Sequence, residues 1–361
     1  MTIQEMGQGQ HALYYAADSR LTALHPINGE QFWQQEITTL PFGAQILCFM
    51  DDVLYLGSWK GSVVAVDVRT RHTLWQYDGN EASNLYEMAV CRNTLALQFN
   101  GHTLNVLHAL TGRLLWTYAD ASSSIWQIKL TINAVYLFGG EKERSSSNFI
   151  LALDLTGKVL WRVAHRELIT VTDEIIYVAE NIPGYLSFRL HALQPENGNE
   201  VWATDLIHVN SYVSSKSVID NVLYVVTSDH LLAINTRNGK QLWSREYVPL
   251  LSPDRGHSIT LLADQDHLFT MQRTVEESHD DGDECMYRLW SLDRATGKAL
   301  WCVREGADIV LTSANQDVIF FSGALYRWWN GFLLFAISKK DGRKLWSVRM
   351  HDQYFRTMTC T

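Results

Sequence analysis

One pattern recurs eight times along the 361 residues and constrains the fold more than any other feature of the chain. Read one under another, the segments are LTALHPINGEQFW, VVAVDVRTRHTLW, LNVLHALTGRLLW, ILALDLTGKVLW, LHALQPENGNEVW, LLAINTRNGKQLW, LWSLDRATGKALW and LFAISKKDGRKLW. Their closing tryptophans are Trp33, Trp75, Trp116, Trp161, Trp202, Trp243, Trp301 and Trp346, spaced 41 to 45 residues apart except for one interval of 58, where an insertion sits. That period is the length of a four-stranded blade. Eight copies therefore predict an all-β, eight-bladed β-propeller of four-stranded antiparallel blades, with residues 1–361 forming a single domain.

Within each copy, alternating apolar residues form one strand, a turn dipeptide such as Asn-Gly, Thr-Gly or Asp-Gly reverses the chain, and a second strand carries the Trp. Gly stands four residues before Trp in seven copies, and Arg71 replaces it in the second. A small residue (Ala23, Ala65, Ala152, Ala192, Ala233, Ser291 or Ala336) sits nine or ten residues before Trp, with Val106 the exception. A neighbouring indole docking between blades would need small residues there. Two more strands precede each copy, joined by a polar dipeptide, as in AQILCFM–DD–VLYLGS and SKSVI–DN–VLYVVTS. A blade is thus four strands, A to D in chain order, with Trp on D. The chain opens on ALYYAA, a B strand without its A strand, and ends on QYFRTMTCT, an A strand without its B strand. The C-terminal strand is expected to complete blade one and close the ring, which removes the open edges of a sheet.

ALDLTGKVLW and SLDRATGKALW resemble the tryptophan-docking repeat of the quinoprotein-type (PQQ-like) propellers, and the resemblance extends over essentially the whole chain. It implies the architecture; activity does not follow, because one fold hosts many functions. Two branches of the family set the expectations. Quinoprotein alcohol dehydrogenases bind pyrroloquinoline quinone and Ca²⁺, many with a vicinal disulfide under the cofactor. This sequence is much shorter and has no adjacent cysteines, so no quinone cofactor is expected. The other branch, similar in length and blade number, is the lipoprotein scaffold of the outer-membrane β-barrel assembly machinery, whose lipidated signal sequence is missing from this sequence.

A net charge of −9 argues against a nucleic-acid partner, which calls for a basic surface. Cys48, Cys91, Cys285, Cys302 and Cys360 are odd in number and scattered, which fits neither a disulfide framework nor a zinc site. Cys48, Cys91 and Cys360 lie in apolar, strand-like stretches and read as buried, inert thiols. No apolar run approaches the ~18 residues of a membrane span, and MTIQEMGQGQ does not read as a signal peptide. A cytoplasmic monomer without a membrane partner is expected, or a secreted or periplasmic one if a leader has been removed.

Departures from the repeat indicate the working face, because function concentrates in loops carried by a rigid scaffold. The B–C loops are short in blades one, two, three and six. They are long in blades four (GGEKERSSSN), five (ENIPGYL), seven (VEESHDDGDEC) and eight (GALYRWWNG). B–C loops and D–A segments emerge on one side of a propeller, and the D–A segments should border the channel mouth. There they place Asn84, Tyr86, Trp126, His165, Glu167, His208, Tyr212, Arg255, His257, Asp308, His351 and Tyr354. Four histidines in one ring could supply acid–base groups near neutrality, or simply form the polar, hydrated mouth that propellers ordinarily have. Asp280, Asp281 and Asp283 offer oxygen donors for a divalent cation, or a solvated loop tip. Tyr326, Arg327, Trp328 and Trp329 read as a binding hot spot or as rings packed over the loop base, and Trp59 could add another ring. The first functional reading is a scaffold that binds a protein or small ligand on this face. The alternative is a lyase, cyclase or hydrolase with its acid–base site among His165, Glu167, His208, His257, Asp308 and His351, with a divalent cation left open.

Overall fold

The structure, a computed structural model, describes residues 12–17, 19–38, 40, 44, 46–79, 84–142, 148–182, 187–205, 207–208, 215–227, 230–246, 261–276, 284–305, 308–324, 332–350 and 357–360. These residues form strands and turns with no helix among them. Eight antiparallel sheets make an eight-bladed β-propeller, seven of them running A to D in chain order. In blade one the strand order is Gln31–Glu36, Arg20–Leu24, Leu13–Ala17, Thr357–Cys360. Leu13 pairs with Cys360 and Ala16 with Thr357, so the C-terminal strand supplies the missing inner strand, as the sequence predicts. Where A and B strands meet through Asp51–Asp52 or Asp220–Asn221, both turn residues have positive φ, the conformation of a two-residue hairpin that short polar side chains tolerate best.

The blades are joined by the repeated tryptophan. Its indole lies over the C–D turn of the next blade and donates to a turn carbonyl. Trp75 Nε1–H reaches Ala109 O at 2.8 Å, Trp116 reaches Leu155 O at 2.7 Å, and Trp161 reaches Pro195 O at 2.7 Å. Trp202, Trp243 and Trp301 bond to Thr236, Arg294 and Lys339, and Trp346 closes the circle onto Pro26 O at 2.8 Å. The turn glycine is required twice over. Gly157 has φ +88°, and a Cβ there would stand 2.9 Å from the Trp116 ring.

The seam between blades one and two departs from this pattern. Arg71 occupies the glycine position at φ +63°, and its guanidinium lies 5.6 Å from the Trp33 ring centre. Trp33 is only 5% exposed, yet its Nε1–H has no hydrogen-bond partner among the described residues. At this seam a guanidinium–indole contact stands where the other seven have a hydrogen bond to the turn.

The small residue on strand C serves its own blade. Ala152 pairs with Tyr136 on strand B and with Trp161 on strand D, and the two rings meet across it with centres 6.1 Å apart. The same row of aromatic, small residue and Trp recurs as Tyr14–Ala23–Trp33, Tyr55–Ala65–Trp75, Tyr177–Ala192–Trp202, Tyr224–Ala233–Trp243, Phe269–Ser291–Trp301 and Phe320–Ala336–Trp346. In blade three the row is Ala96–Val106–Trp116, with the small residue moved to strand B. The sequence reading, which gave these alanines the role of admitting a neighbour's indole, is corrected: glycine admits the neighbour, and alanine makes room inside the blade. Burial pushes the Tyr55 and Tyr136 phenols up to about 12, so both stay neutral as packing groups.

Every D strand also carries a bulge at the residue before Trp. In blade four Ala152 faces Trp161 while Leu153 faces Val159, leaving Leu160 as the extra residue. A bulge adds local twist and makes an outer edge a poor template for pairing. Ion pairs strengthen some seams: Arg294 Nη2 lies 2.8 Å from Asp220 Oδ2, and Lys339 Nζ lies 2.9 Å from Asp264 Oδ2. Blade five contains a clamp around a buried histidine. His191, on the third strand (Ser187–Leu193), holds Glu200 through Nδ1 at 2.7 Å and Glu180 through Nε2 at 3.1 Å, and Arg166 Nη1 meets Glu180 at 2.8 Å. Burial opposes the Glu180 charge, but Arg166 and His191 prevail and hold its carboxyl below the ordinary 4.5.

Two outcomes follow for stability. Arg71→Gly should raise the thermal midpoint, because it relieves a left-handed non-glycine and lets Trp33 reach its turn carbonyl, together worth about 1 kcal/mol. Gly157→Arg should lower it by more than that. Calorimetry of the two variants checks both signs. Glu180 has a lowered folded value, so its contribution is complete above about pH 4.5 and is lost as pH falls through that lower value. Glu180→Gln should therefore cost roughly 1–2 kcal/mol in urea titrations at pH 7, and the gap to wild type should close on acidification below 4.5.

Candidate functional site

The B–C and D–A side of the ring presents aromatic side chains on three successive blades. Trp59 stands on the B–C turn of blade two, closed by Ser58 N–H to Ser62 O at 2.8 Å and Gly61 N–H to Ser58 O at 3.0 Å. Its own carbonyl accepts from Leu85 N–H at 3.2 Å, which ties the loop to the inner strand of blade three (Leu85–Cys91). That strand bulges immediately afterwards: Leu85 faces Phe99 and Glu87 faces Gln98, so Tyr86 is extra and turns outward. The inner strand of blade four (Ser123–Leu130) repeats the device with Trp126, between Ile125 opposite Gly139 and Gln127 opposite Phe138. Bulges re-aim side chains in this way.

Trp59, Tyr86 and Trp126 are 40%, 48% and 52% exposed, large values for such rings. Trp59 and Tyr86 meet edge to face, 5.2 Å between centres, and Trp126 meets Phe138 at the same distance. Trp126 lies across Gly140, where a Cβ would come within 2.5 Å of the indole. The second glycine of the Gly-Gly that opens the long loop of blade four is thus the bed of this ring.

Polar groups hold the base of the arc. Gln98 is buried and donates to Ile125 O at 2.6 Å, bridging blades three and four. Glu87 accepts the Ile128 N–H at 2.6 Å; burial pushes its carboxyl up, against the pull of that N–H and of Lys129. Cys48 donates to Met88 O at 3.2 Å, and burial raises its thiol to about 12. Cys48 and Cys91 are half-buried, less enclosed than expected, while burial pushes up the Cys91 thiol too. A thiol so shifted is a poor nucleophile or ligand.

Of the predicted acid–base ring, His165 and Glu167 are described. His165 is exposed, its backbone at φ +57° and bonded to Asn148 O at 2.6 Å. Glu167 accepts from Asn181 at 3.5 Å, and no hydrogen bond joins it to His165. The backbone of His208 pairs with Ser187 on the third strand of blade five, and that of Asp308 opens the inner strand of blade eight (Asp308–Ala314); their side chains lie outside the described residues. So do His257, His351, Arg255, Tyr212, Tyr354, Tyr326, Arg327, Trp328, Trp329, Asp280, Asp281 and Asp283.

Sequence reasoning missed the carboxylate–imidazole clamp of blade five. His191 lies nine residues from Glu200 and eleven from Glu180, on adjacent strands, a spacing without a motif. Both of its ring nitrogens face carboxylate oxygens, so it ties three strands together and has no free nitrogen for proton transfer. Among the described residues no three His, Cys, Asp or Glu side chains are grouped to hold a metal ion. Glu87, the half-buried acid of the inner strands, is engaged by a backbone N–H.

Comparison with known proteins follows the architecture. No curated protein sequence matches the chain. A computationally designed protein, Ika8, superimposes with a TM-score of 0.63 at 15% identity, over 86% of this chain and 88% of its own. BamB from Moraxella catarrhalis does so with a TM-score of 0.59 at 17% identity, over 84% and 87%. Quinohemoprotein alcohol dehydrogenase from Comamonas testosteroni gives 0.60 at 14% identity, over 85% and 67%. Likeness at these identities establishes the fold alone, since a designed protein shares it as fully as an enzyme does. Sequence goes further. The family described as Outer membrane protein assembly factor BamB matches residues 6–135 and 146–301, most of the chain. The chain belongs to that family of PQQ-like-repeat propellers.

Proposed function

We propose that this protein is a binding scaffold, not a quinone dehydrogenase, and that it engages a protein partner through the B–C and D–A face. The observation that carries the reading is the arc of Trp59, Tyr86 and Trp126, three rings on successive blades, each between 40% and 52% exposed. Aromatic side chains so placed are characteristic of interface hot spots, where each contributes large contact area with little conformational freedom to lose. Tyr86 and Trp126 are set outward by bulges, Trp126 also lies on Gly140, and the Trp59 loop is tied to Leu85 by a backbone hydrogen bond, so the arc is held ready before any partner arrives.

The chemistry of the neighbouring groups supports a scaffold over a catalyst. His191, Glu180 and Arg166 engage one another in blade five, and Glu87 serves a backbone N–H. Tyr212, Arg255, Tyr326, Arg327, Trp328, Trp329 and Tyr354 would extend the arc around the same face, and His165, His208, His257 and His351 would border the channel mouth inside it. Family membership adds a class of partner: the matching description is that of an assembly factor of outer-membrane proteins, which fits a protein ligand. It also fits the secreted or periplasmic location; nothing in the comparisons supports a cytoplasmic one.

The test is capture of partners from an envelope extract of the source cells on immobilised wild type and on a Trp59→Ala, Tyr86→Ala, Trp126→Ala variant. With hot-spot rings worth about 2 kcal/mol each, a partner of the arc should bind the variant at least thirtyfold more weakly, while circular dichroism and the melting curve stay near wild type. Equal retention by both proteins would remove the arc from the binding surface.

A further inference from the structure

The opposite face, formed by the A–B and C–D turns, carries a cleft of about 760 Å³ between blades five and six. One wall is the A–B turn of blade five, with Asp173, Glu174 and Ile175. The other is the C–D turn of blade six, with Thr236 and Arg237. Val201 and Val218 add apolar surface, and the buried Tyr177 closes one side.

The next two seams show why the cleft exists. The residue whose carbonyl receives the docking indole is Thr236 at this seam, Arg294 at the following one and Lys339 at the one after. Arg294 reaches Asp220, on the A–B turn of blade six, and Lys339 reaches Asp264, on that of blade seven. At the seam between blades five and six the acidic turn is retained, but threonine replaces the long cation that would fill the space beside it. Asp173 turns its carboxylate the other way, accepting through Oδ1 the N–H of Ile132 on the A–B turn of blade four at 3.1 Å, so Glu174 is the acid of this turn left without a hydrogen-bond partner among the described residues. Glu174 and Arg237 form no ion pair with each other or with any other described residue. The cleft is therefore lined by Glu174 on one wall, Arg237 on the other and apolar side chains between them, with no ion pair joining the two charges.

We infer that this cleft binds a zwitterion of amino-acid or short-peptide size, with its ammonium group at Glu174, its carboxylate at Arg237 and an apolar side chain against Ile175, Val201 and Val218. The ammonium takes the place that Arg294 and Lys339 fill at the neighbouring seams. Carboxylate recognition by a guanidinium is the strongest pairing available to such a ligand. A volume of this size lies within the range of small-molecule sites. Exposed ion pairs are individually weak, so binding depends on holding both ends of the ligand at once, and the affinity is in the millimolar range. The site is on the face away from the aromatic arc and stands independently of the role proposed for that arc.

Saturation-transfer NMR with leucyl-leucine as the probe tests it on the whole protein. Leucyl-leucine should give saturable transfer, and its N-acetyl and C-amide derivatives should each bind at least tenfold more weakly. Glu174→Gln with Arg237→Gln should abolish the signal while leaving the melting curve unchanged, and Trp126→Ala should leave the signal intact. Equal binding of the blocked peptides, retention of the signal by the Glu174/Arg237 variant, or no signal up to about 10 mM probe would each overturn the assignment.

Discussion

The architecture rests on one contact, an indole of one blade laid on the turn of the next. It combines a ring face on a glycine Cα, which excludes any Cβ, with an N–H aimed at a carbonyl two or three residues upstream. Each hydrogen bond contributes about 1 kcal/mol net, a small figure beside the apolar area that the ring covers. Repetition makes the contact decisive. A closed ring has no end blade, so every seam depends on the geometry of the others, and Trp346 over Gly29 completes the circle that the C-terminal strand also closes. The seam of Trp33 and Arg71 shows what happens when the glycine is lost. The indole stays buried, its N–H loses its acceptor, and a guanidinium shares its face.

A blade must fit three side chains across its strands, and their volumes trade against one another. Tyr136, Ala152 and Trp161 in blade four become Ala96, Val106 and Trp116 in blade three. Large–small–large and small–medium–large both fill the row under the indole, which is how close packing tolerates exchange when total volume is conserved. This explains why Val106 interrupts the run of alanines without disturbing the blade: its compensating change lies ten residues earlier, on another strand.

The fold was legible because each element of the repeat reports a backbone requirement. Gly before Trp marks a positive φ, the polar dipeptides mark hairpins, and the unpaired strands at the two ends of the chain imply each other. Arg71 was visible as a departure, but its effect on Trp33 depends on a contact between blades. The site was far less legible. Tyr86 and Trp126 face outward because their strands bulge, and no residue type announces a bulge at either position. His191 has no signature, because its two carboxylates come from the strands on either side of it. The alanines were correctly singled out yet assigned to the wrong indole, since sequence shows that a position must be small without showing which neighbour makes it so.

The same contact decides where the molecule is free to vary. Docking fixes the C–D turns, since all but that of blade two present a glycine and a carbonyl to the preceding blade. The B–C loops, at the other end of the strands, meet no such demand, so length, charge and aromatic rings accumulate there. Docking nevertheless uses only a carbonyl of the turn residue it bonds, and the side chain of that residue is unconstrained. Pro26, Ala109, Leu155, Pro195, Thr236, Arg294 and Lys339 all occupy the position. With a long cation the seam acquires an ion pair to the neighbouring turn; with threonine beside an acidic turn it opens into a cleft. A backbone-only requirement thus keeps eight blades in register while leaving the chemistry of each seam to a single side chain.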